Sequence, residues 1–134
     1  RVMMGFTMLN INSSTIKMIN AGMPPIFLYR RKTKQVEELE FHNAPLGALK
    51  ETSYKSSEII VNPSDTLLLL SDGMPELTND ENDLFGYDRV KSSFEKVAEK
   101  SPDEIINHLK HQGSTWANGK ELEDDITFVV IKMI

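Results

Sequence analysis

The sequence predicts an α+β domain: two mainly antiparallel sheets, or one sheet and part of another, with helices packed on an outer face. Three observations predict it. The first half of the chain is a succession of short apolar, strand-like runs separated by turn residues. Residues 87–100 and 102–111 then carry helical periodicity, and Ile126 to Met133 closes the chain with a further strand-like run. At 134 residues, 40% hydrophobic and 26% charged, the composition is that of one globular domain with enough apolar material for a core.

Phe6 to Asn12 and Thr15 to Ala21 carry β-formers on either side of Asn12-Ser13-Ser14, which predicts a hairpin. Met8, Ile11, Ile16, Met18 and Ile19 are its core candidates, because methionine at strand spacing usually fills space. Asn20-Ala-Gly-Met-Pro-Pro25 breaks the pattern, since proline cannot donate to a ladder. Ile26 to Arg30 and Gln35 to Glu40, joined through Lys32-Thr-Lys34, predict a second hairpin. Arg30, Arg31, Lys32 and Lys34 form a basic cluster at its tip, read as solvated rather than phosphate-binding. Ala44 to Gly47 reads as a loop, and Tyr54 to Val61 alternates as a strand.

Thr66 to Leu70 has the length and character of a strand buried on both faces, between Pro63 and Gly73. After it, Glu76 to Asp83 is a polar, acidic loop or short helix. Val90, Phe94 and Val97 mark one face of a helix from Tyr87 to Lys100. Ser101-Pro-Asp-Glu104 reads as an N-cap, a proline at the first helical position and acids in the first turn, opening a helix to about His111. Gln112 to Glu121 is predicted to be a polar connection anchored by Trp116.

Two acidic positions stand out against this frame. Asp72 closes the strand Thr66 to Leu70, and Asp124 and Asp125 open the last strand. If the two strands are antiparallel neighbours, the carboxylates meet at one edge of the sheet. Strands about 4.8 Å apart let Asp72 and one of the pair share a cation, and strand alternation aims only one of Asp124 and Asp125 at it. Gly73 permits a sharp turn or a close approach to a ligand. With oxygen donors, no cysteine and few histidines, a hard ion such as magnesium or manganese suits the site better than zinc. Two ordinary surface turns would carry the same residues.

Zero cysteines exclude disulfides and thiolate metal sites, and agree with a cytoplasmic setting. A net charge of −5 argues against nucleic acid as a partner, and the apolar runs are too short for a membrane span.

Taken in order, the motifs resemble those of the PPM-type, metal-dependent serine/threonine protein phosphatases, in their bacterial SpoIIE and RsbU-like branch. Asn20-Ala-Gly-Met-Pro-Pro25 is similar to that branch's Asn-Ala-Gly-His-Pro-Pro loop, Pro45-Leu-Gly47 to its Pro-Leu-Gly turn, and Asn62-Pro-Ser-Asp65 to its Pro-Gly-Asp lead-in. Ser71-Asp-Gly73 with Glu76 and Asn79 resembles Ser/Thr-Asp-Gly-x-x-Glu-x-x-Asn. Phe85-Gly86 resembles Phe-Gly, and Asp124-Asp-Ile-Thr127 the closing Asp-Asp-x-Thr. The matches span about residues 6 to 134.

The resemblance implies an antiparallel β-sandwich flanked by α-helices, of which residues 1–134 would be the C-terminal portion. It places Asp72 and Asp124 at catalytic, metal-coordinating positions, with Gly73 and Asp125 beside them in the metal set. It implies two manganese or magnesium ions in the complete domain, activating a water that attacks phosphorus in line. The implied substrate is a phosphorylated signalling protein, such as an anti-sigma-factor antagonist, and the implied location is cytoplasmic, including the cytoplasmic part of a larger sensor. Two departures accompany the match: Met23 stands where histidine is expected, and the family's Asp-x-x-Gly-His-Gly segment is absent from these residues. The expectation is therefore a segment that folds at least partly, self-associates through an exposed sheet edge or exchanged element, and is nearly inactive alone. The competing reading is a non-catalytic partner-binding or regulatory module on the same fold.

Overall fold

The computed structural model describes residues 2–134. Among them, in chain order, are β1 (Phe6–Asn12), β2 (Thr15–Ala21), β3 (Ile26–Arg30), β4 (Gln35–Leu39), β5 (Ser57–Ile60), β6 (Thr66–Leu70), α1 (Gly86–Glu95), α2 (Pro102–Ala117) and β7 (Phe128–Lys132). The strands form two antiparallel sheets, β1-β2-β5 and β4-β3-β6-β7. Both predicted hairpins are present. Ser13, with φ 51°, lets β1 reverse into β2, and Lys34, with φ 58°, does the same between β3 and β4.

Alternation along the strands divides the core in two. Ile16 and Met18 of β2 meet Ile26, Leu28 and Leu67 in the layer between the sheets. On its other face the four-stranded sheet presents Phe27, Tyr29, Leu68 and Leu70 to Val90, Phe94, Ile105 and Leu109 of the helices. β3 and β6 therefore read as continuous apolar runs because both their faces are covered. Each large side chain fully buried here contributes about 1.5–3 kcal/mol relative to exposure.

Met8 and Ile11, expected in the core, are 53% and 43% exposed. Their strand is an edge of its sheet, and Met8 lies opposite Ile19 on the face turned away from the second sheet. β5 begins at Ser57 rather than Tyr54, and α1 ends at Glu95, with Val97 and Lys100 closing tighter turns onto Phe94 and Val97.

α2 starts where its cap predicts, with Ser101 and Glu104 in a reciprocal capping box. That pair of hydrogen bonds from Ser101 holds the Glu104 carboxyl below its usual range. The helix then passes His111 and ends only at Ala117, so Trp116 is helical rather than in a loop. Ile105, Leu109, Gly113 and Ala117 form one buried stripe at four-residue spacing. Gly113 weakens a helix by about 1 kcal/mol relative to alanine. Its missing side chain leaves room for its neighbours, since a Cβ would stand 3.0 Å from Leu77 and 3.1 Å from the Met74 sulfur, and one of them would have to shift by a few tenths of an ångström to admit it.

Asp65, 1% exposed, launches β6 and pins the hairpin end of the sheet. Its carboxylate accepts from the Arg31 backbone N–H (2.9 Å), the Asn62 backbone N–H (3.0 Å) and the Arg30 guanidinium (3.3 Å). Arg30 also donates to the Ile60 carbonyl (2.6 Å) and pairs with Glu37 (3.0 Å), so it ties β3 to the end of β5 in the other sheet. Arg31 pairs with Glu99, whose carboxyl is held low first by the Tyr29 hydroxyl. Half of the basic cluster is thus structural cement. No helix among the described residues is long and apolar enough to cross a membrane.

Candidate functional site

β6 and β7 are antiparallel neighbours, paired from Thr66 opposite Lys132 to Leu70 opposite Phe128. Asp72 therefore leaves β6 at the same sheet edge from which Asp124 and Asp125 lead into β7, and all three are exposed. The two segments stay in contact beyond the ladder. The Ser71 backbone N–H donates to the Thr127 carbonyl (3.1 Å), and the Ser71 hydroxyl donates to the Asp125 carbonyl (2.9 Å) while accepting from the Thr127 N–H (3.0 Å). Gly73 lies so close that a Cβ would stand 2.5 Å from the Asp125 carbonyl oxygen. Glycine is required here for close approach.

Asp124 lines a cavity of about 350 Å³ together with Gly73, Glu76, Lys120, Glu121 and Glu123. Asp125 instead lines a groove of about 720 Å³ against α2, beside Met74, Ile106 and Phe128. The neighbouring aspartates thus face different spaces, across a bend in which the Asp125 N–H donates to the Asp124 carboxylate. Among the described residues, neither Asp72 nor Asp124 nor Asp125 forms an ion pair, whereas the ion pairs present gather at the hairpin end.

Glu76 returns its N–H to the Asp72 carbonyl (3.0 Å), turning the chain back under the edge. Asn79 closes its own loop, its side-chain oxygen accepting from the Glu81 and Asp83 N–H groups. Trp116 holds that loop from α2, donating to the Leu77 (3.2 Å) and Asp83 (3.3 Å) carbonyls, packing edge-to-face on Phe85 and carrying Arg89 over its ring. Lys120 adds a further strap, donating to Asn79 and Asn82.

Sequence reasoning missed Tyr87. Gly86, at φ 77°, starts α1 with its N–H on the Pro75 carbonyl and sets Tyr87 near the acids. Its phenol is pushed above the ordinary value by burial and then by Asp72, Glu76 and Glu38. The usable signal was its place directly after Phe85-Gly86. Met23 packs its sulfur toward Gly5 and lines a separate space of about 370 Å³ with Ser71 and Thr127, behind the same edge.

The donor set fits a hard divalent cation in kind, because Asp72, Asp124 and Asp125 offer exposed carboxylate oxygens. It is short in number: among the described residues no three His, Cys, Asp or Glu side chains gather closely enough to hold an ion.

An antiparallel sandwich with helices on one sheet, and acidic segments meeting at one end of that sheet, defines part of a PP2C-like domain. The SiaA-PP2C domain of Pseudomonas aeruginosa shares this fold with a TM-score of 0.80 at 17% identity, over 91% of this chain and 48% of that one. The phosphatase domain of the cell fate determinant SpoIIE from Bacillus subtilis, Mn presoaked, matches with a TM-score of 0.72 at 20% identity, over 98% of this chain and 56% of that one. The family model of stage II sporulation protein E (SpoIIE) matches residues 2–134, and the chain belongs to that family. Stage II sporulation protein E of Bacillus subtilis (strain 168) is 23% identical over 129 residues, which are 95% of this chain and 15% of that protein. The chain thus spans about half of the solved domains and a smaller share of the full-length relative.

Proposed function

We propose that residues 1–134 form the C-terminal portion of a phosphatase domain that hydrolyses phosphoserine or phosphothreonine on a signalling protein, such as an anti-sigma-factor antagonist, with divalent metal. The observation that carries this reading is the meeting of Asp72 with the Asp124–Asp125 segment at one sheet edge, tightened by Gly73 against the Asp125 carbonyl. Asp72 and Asp124 would hold Mn2+ or Mg2+, with Gly73 through its carbonyl and Asp125 completing the set. Two such ions supply a water nucleophile at neutral pH and offset charge on the phosphoryl group.

The residues themselves explain why metal is needed. An edge carrying Asp72, Glu76, Asp124 and Asp125 without an ion-paired cation repels a phosphate, so these groups serve the reaction by holding cations and not by touching substrate. Trp116 and Lys120 hold the acidic loop 77–85 in place beside the edge, where Leu77, Thr78 and Leu84 line the same cavity as Asp124. Met23, at the histidine position of the motif, offers neither a proton nor a good ligand for a hard ion.

Met23 and the lack of a three-acid group among the described residues favour a second reading, a non-catalytic partner-binding or regulatory module on the same fold. The test compares this segment with the full-length encoded polypeptide on a phosphoserine peptide, with and without manganese. Manganese-dependent release of phosphate by the longer chain and near-background release by the segment is the expected result. Silence in both leaves the regulatory reading, and equal rates in both overturn the account of the site. The segment alone is also expected to self-associate, because β7 pairs on one side with β6 and, among the described residues, leaves the backbone groups of its other side unpaired, with Val129 48% exposed on a face of that strand.

A further inference from the structure

We infer that Ser71 is a positioning residue that sets the acidic pair of β7 against Asp72. The inference rests on the reading that these carboxylates hold divalent cations. The sheet ladder stops at Leu70 opposite Phe128, one residue short of Ser71. From there the Asp124–Asp125 segment has no strand to hold it, and residues 118–125 form no helix or strand. The Ser71 backbone N–H makes one last bond, to the Thr127 carbonyl, and beyond it the Ser71 side chain takes over from the ladder. One hydroxyl donates to the Asp125 carbonyl and accepts from the Thr127 N–H, so it bridges both sides of Ile126.

The geometry around Asp72 makes this bridge specific. Both neighbours of Asp72 meet the same carbonyl of Asp125: Ser71 by its hydroxyl at 2.9 Å, and Gly73 by a face too close to admit a Cβ. The Asp125 peptide is therefore clasped from two sides by residues flanking Asp72, which sets the separation of the carboxylates through the backbone. Such outer-shell partners govern the affinity of a site without touching the ion, and their loss typically weakens metal binding about 10–100-fold. The hydroxyl is partly solvent-accessible, so water can satisfy the Asp125 carbonyl and Thr127 N–H once it is gone. Water cannot restore their fixed spacing. Ser71 should then matter more for metal affinity than for folding.

The test titrates Mn2+ into the full-length polypeptide, following free ion by electron paramagnetic resonance, and measures exchange of the Thr127 amide. Ser71→Ala is expected to weaken Mn2+ binding about tenfold and to speed Thr127 exchange while the thermal midpoint changes little. Ser71→Thr, which keeps a hydroxyl, should bind close to wild type, well short of the roughly 10–100-fold loss of an outer-shell deletion. Ser71→Cys keeps the volume but has a weaker donor and acceptor, and should bind like the alanine variant, so an alanine variant that failed to fold would not shelter the idea. Wild-type affinity in a folded Ser71→Ala or Ser71→Cys variant overturns the role of Ser71. Absence of Mn2+ binding by wild type overturns the metal reading beneath it.

Discussion

At the hairpin end of the four-stranded sheet, acids are matched: Asp65 is buried and held by Arg30 and two backbone N–H groups, and Glu99 by Arg31 and the Tyr29 hydroxyl. At the other end, where β6 stops and β7 begins, Asp72, Asp124 and Asp125 are exposed and free of ion pairs among the described residues. The backbone segments there are nevertheless joined, by the Ser71 hydroxyl and the close approach of Gly73. Folding energetics account for the first end, since a buried carboxylate without partners is costly. They do not account for the second. On the proposed reading, the acids gathered there serve a bound cation, which would offset any repulsion among them.

The comparison breaks first at Asp65. Replacing it by alanine strands two N–H groups and takes from Arg30 its buried partner, leaving it Glu37 and the Ile60 carbonyl, and should cost about 3 kcal/mol in urea unfolding. A loss below about 1 kcal/mol, the scale of a surface pair, would show that the hairpin end is not held by charge.

At the opposite end the sign of the stability effect should differ. Asp72→Asn and Asp124→Asn in the full-length polypeptide should leave the thermal midpoint unchanged or slightly raised while phosphatase turnover falls by more than the roughly 10–100-fold of an outer-shell change. Near-normal turnover in either variant removes that residue from the catalytic set. Gly73→Ala probes the frame between them. Its methyl would press on the Asp125 carbonyl, which should cost about 1–3 kcal/mol by overpacking, read in the same unfolding experiment, and lower turnover as the segments part.

The smallest effect is a pH dependence away from both ends. His108 on α2 has a buried ring nitrogen without a partner, and its ring is held below the ordinary 6.5 by burial first and then by Lys96, Lys100 and His111. The unfolded chain therefore binds the proton more tightly. The associated stability is present above about pH 6.5 and is lost as pH falls through that value toward the folded one. The thermal midpoint should drop between pH 7.5 and 5.5 in wild type and drop less in His108→Gln. An identical slope in both would assign the pH dependence to other groups.

Local chemistry was enough for much of this molecule. The first three strands have the residue ranges that β-formers and turn residues indicate, and the Ser101–Glu104 cap starts α2. The antiparallel pairing of β6 with β7 was a condition in the sequence reading, and the fold meets it. Given that pairing, Asp72 and Asp124 had to lie beyond the same end of the two strands, although β7 begins at Phe128 and not at Ile126, so Asp124 stands four residues ahead of it. Gly113 was not legible, because a glycine's cost to a helix is visible in sequence while its fit against Met74 and Leu77 is not. Met8 read as core because alternation names two faces but not which one is covered. Arg30 and Arg31 read as a solvated tip because Asp65 and Glu99 lie more than thirty residues away. The sequence by itself determined where strands and helices begin and which acids stand at their ends, since those depend on neighbours along the chain. Only the tertiary structure decided that Tyr87 overlooks the acids and that Ser71 bridges to Asp125 and Thr127, because a hydroxyl's role depends on which groups the fold carries to within hydrogen-bond reach.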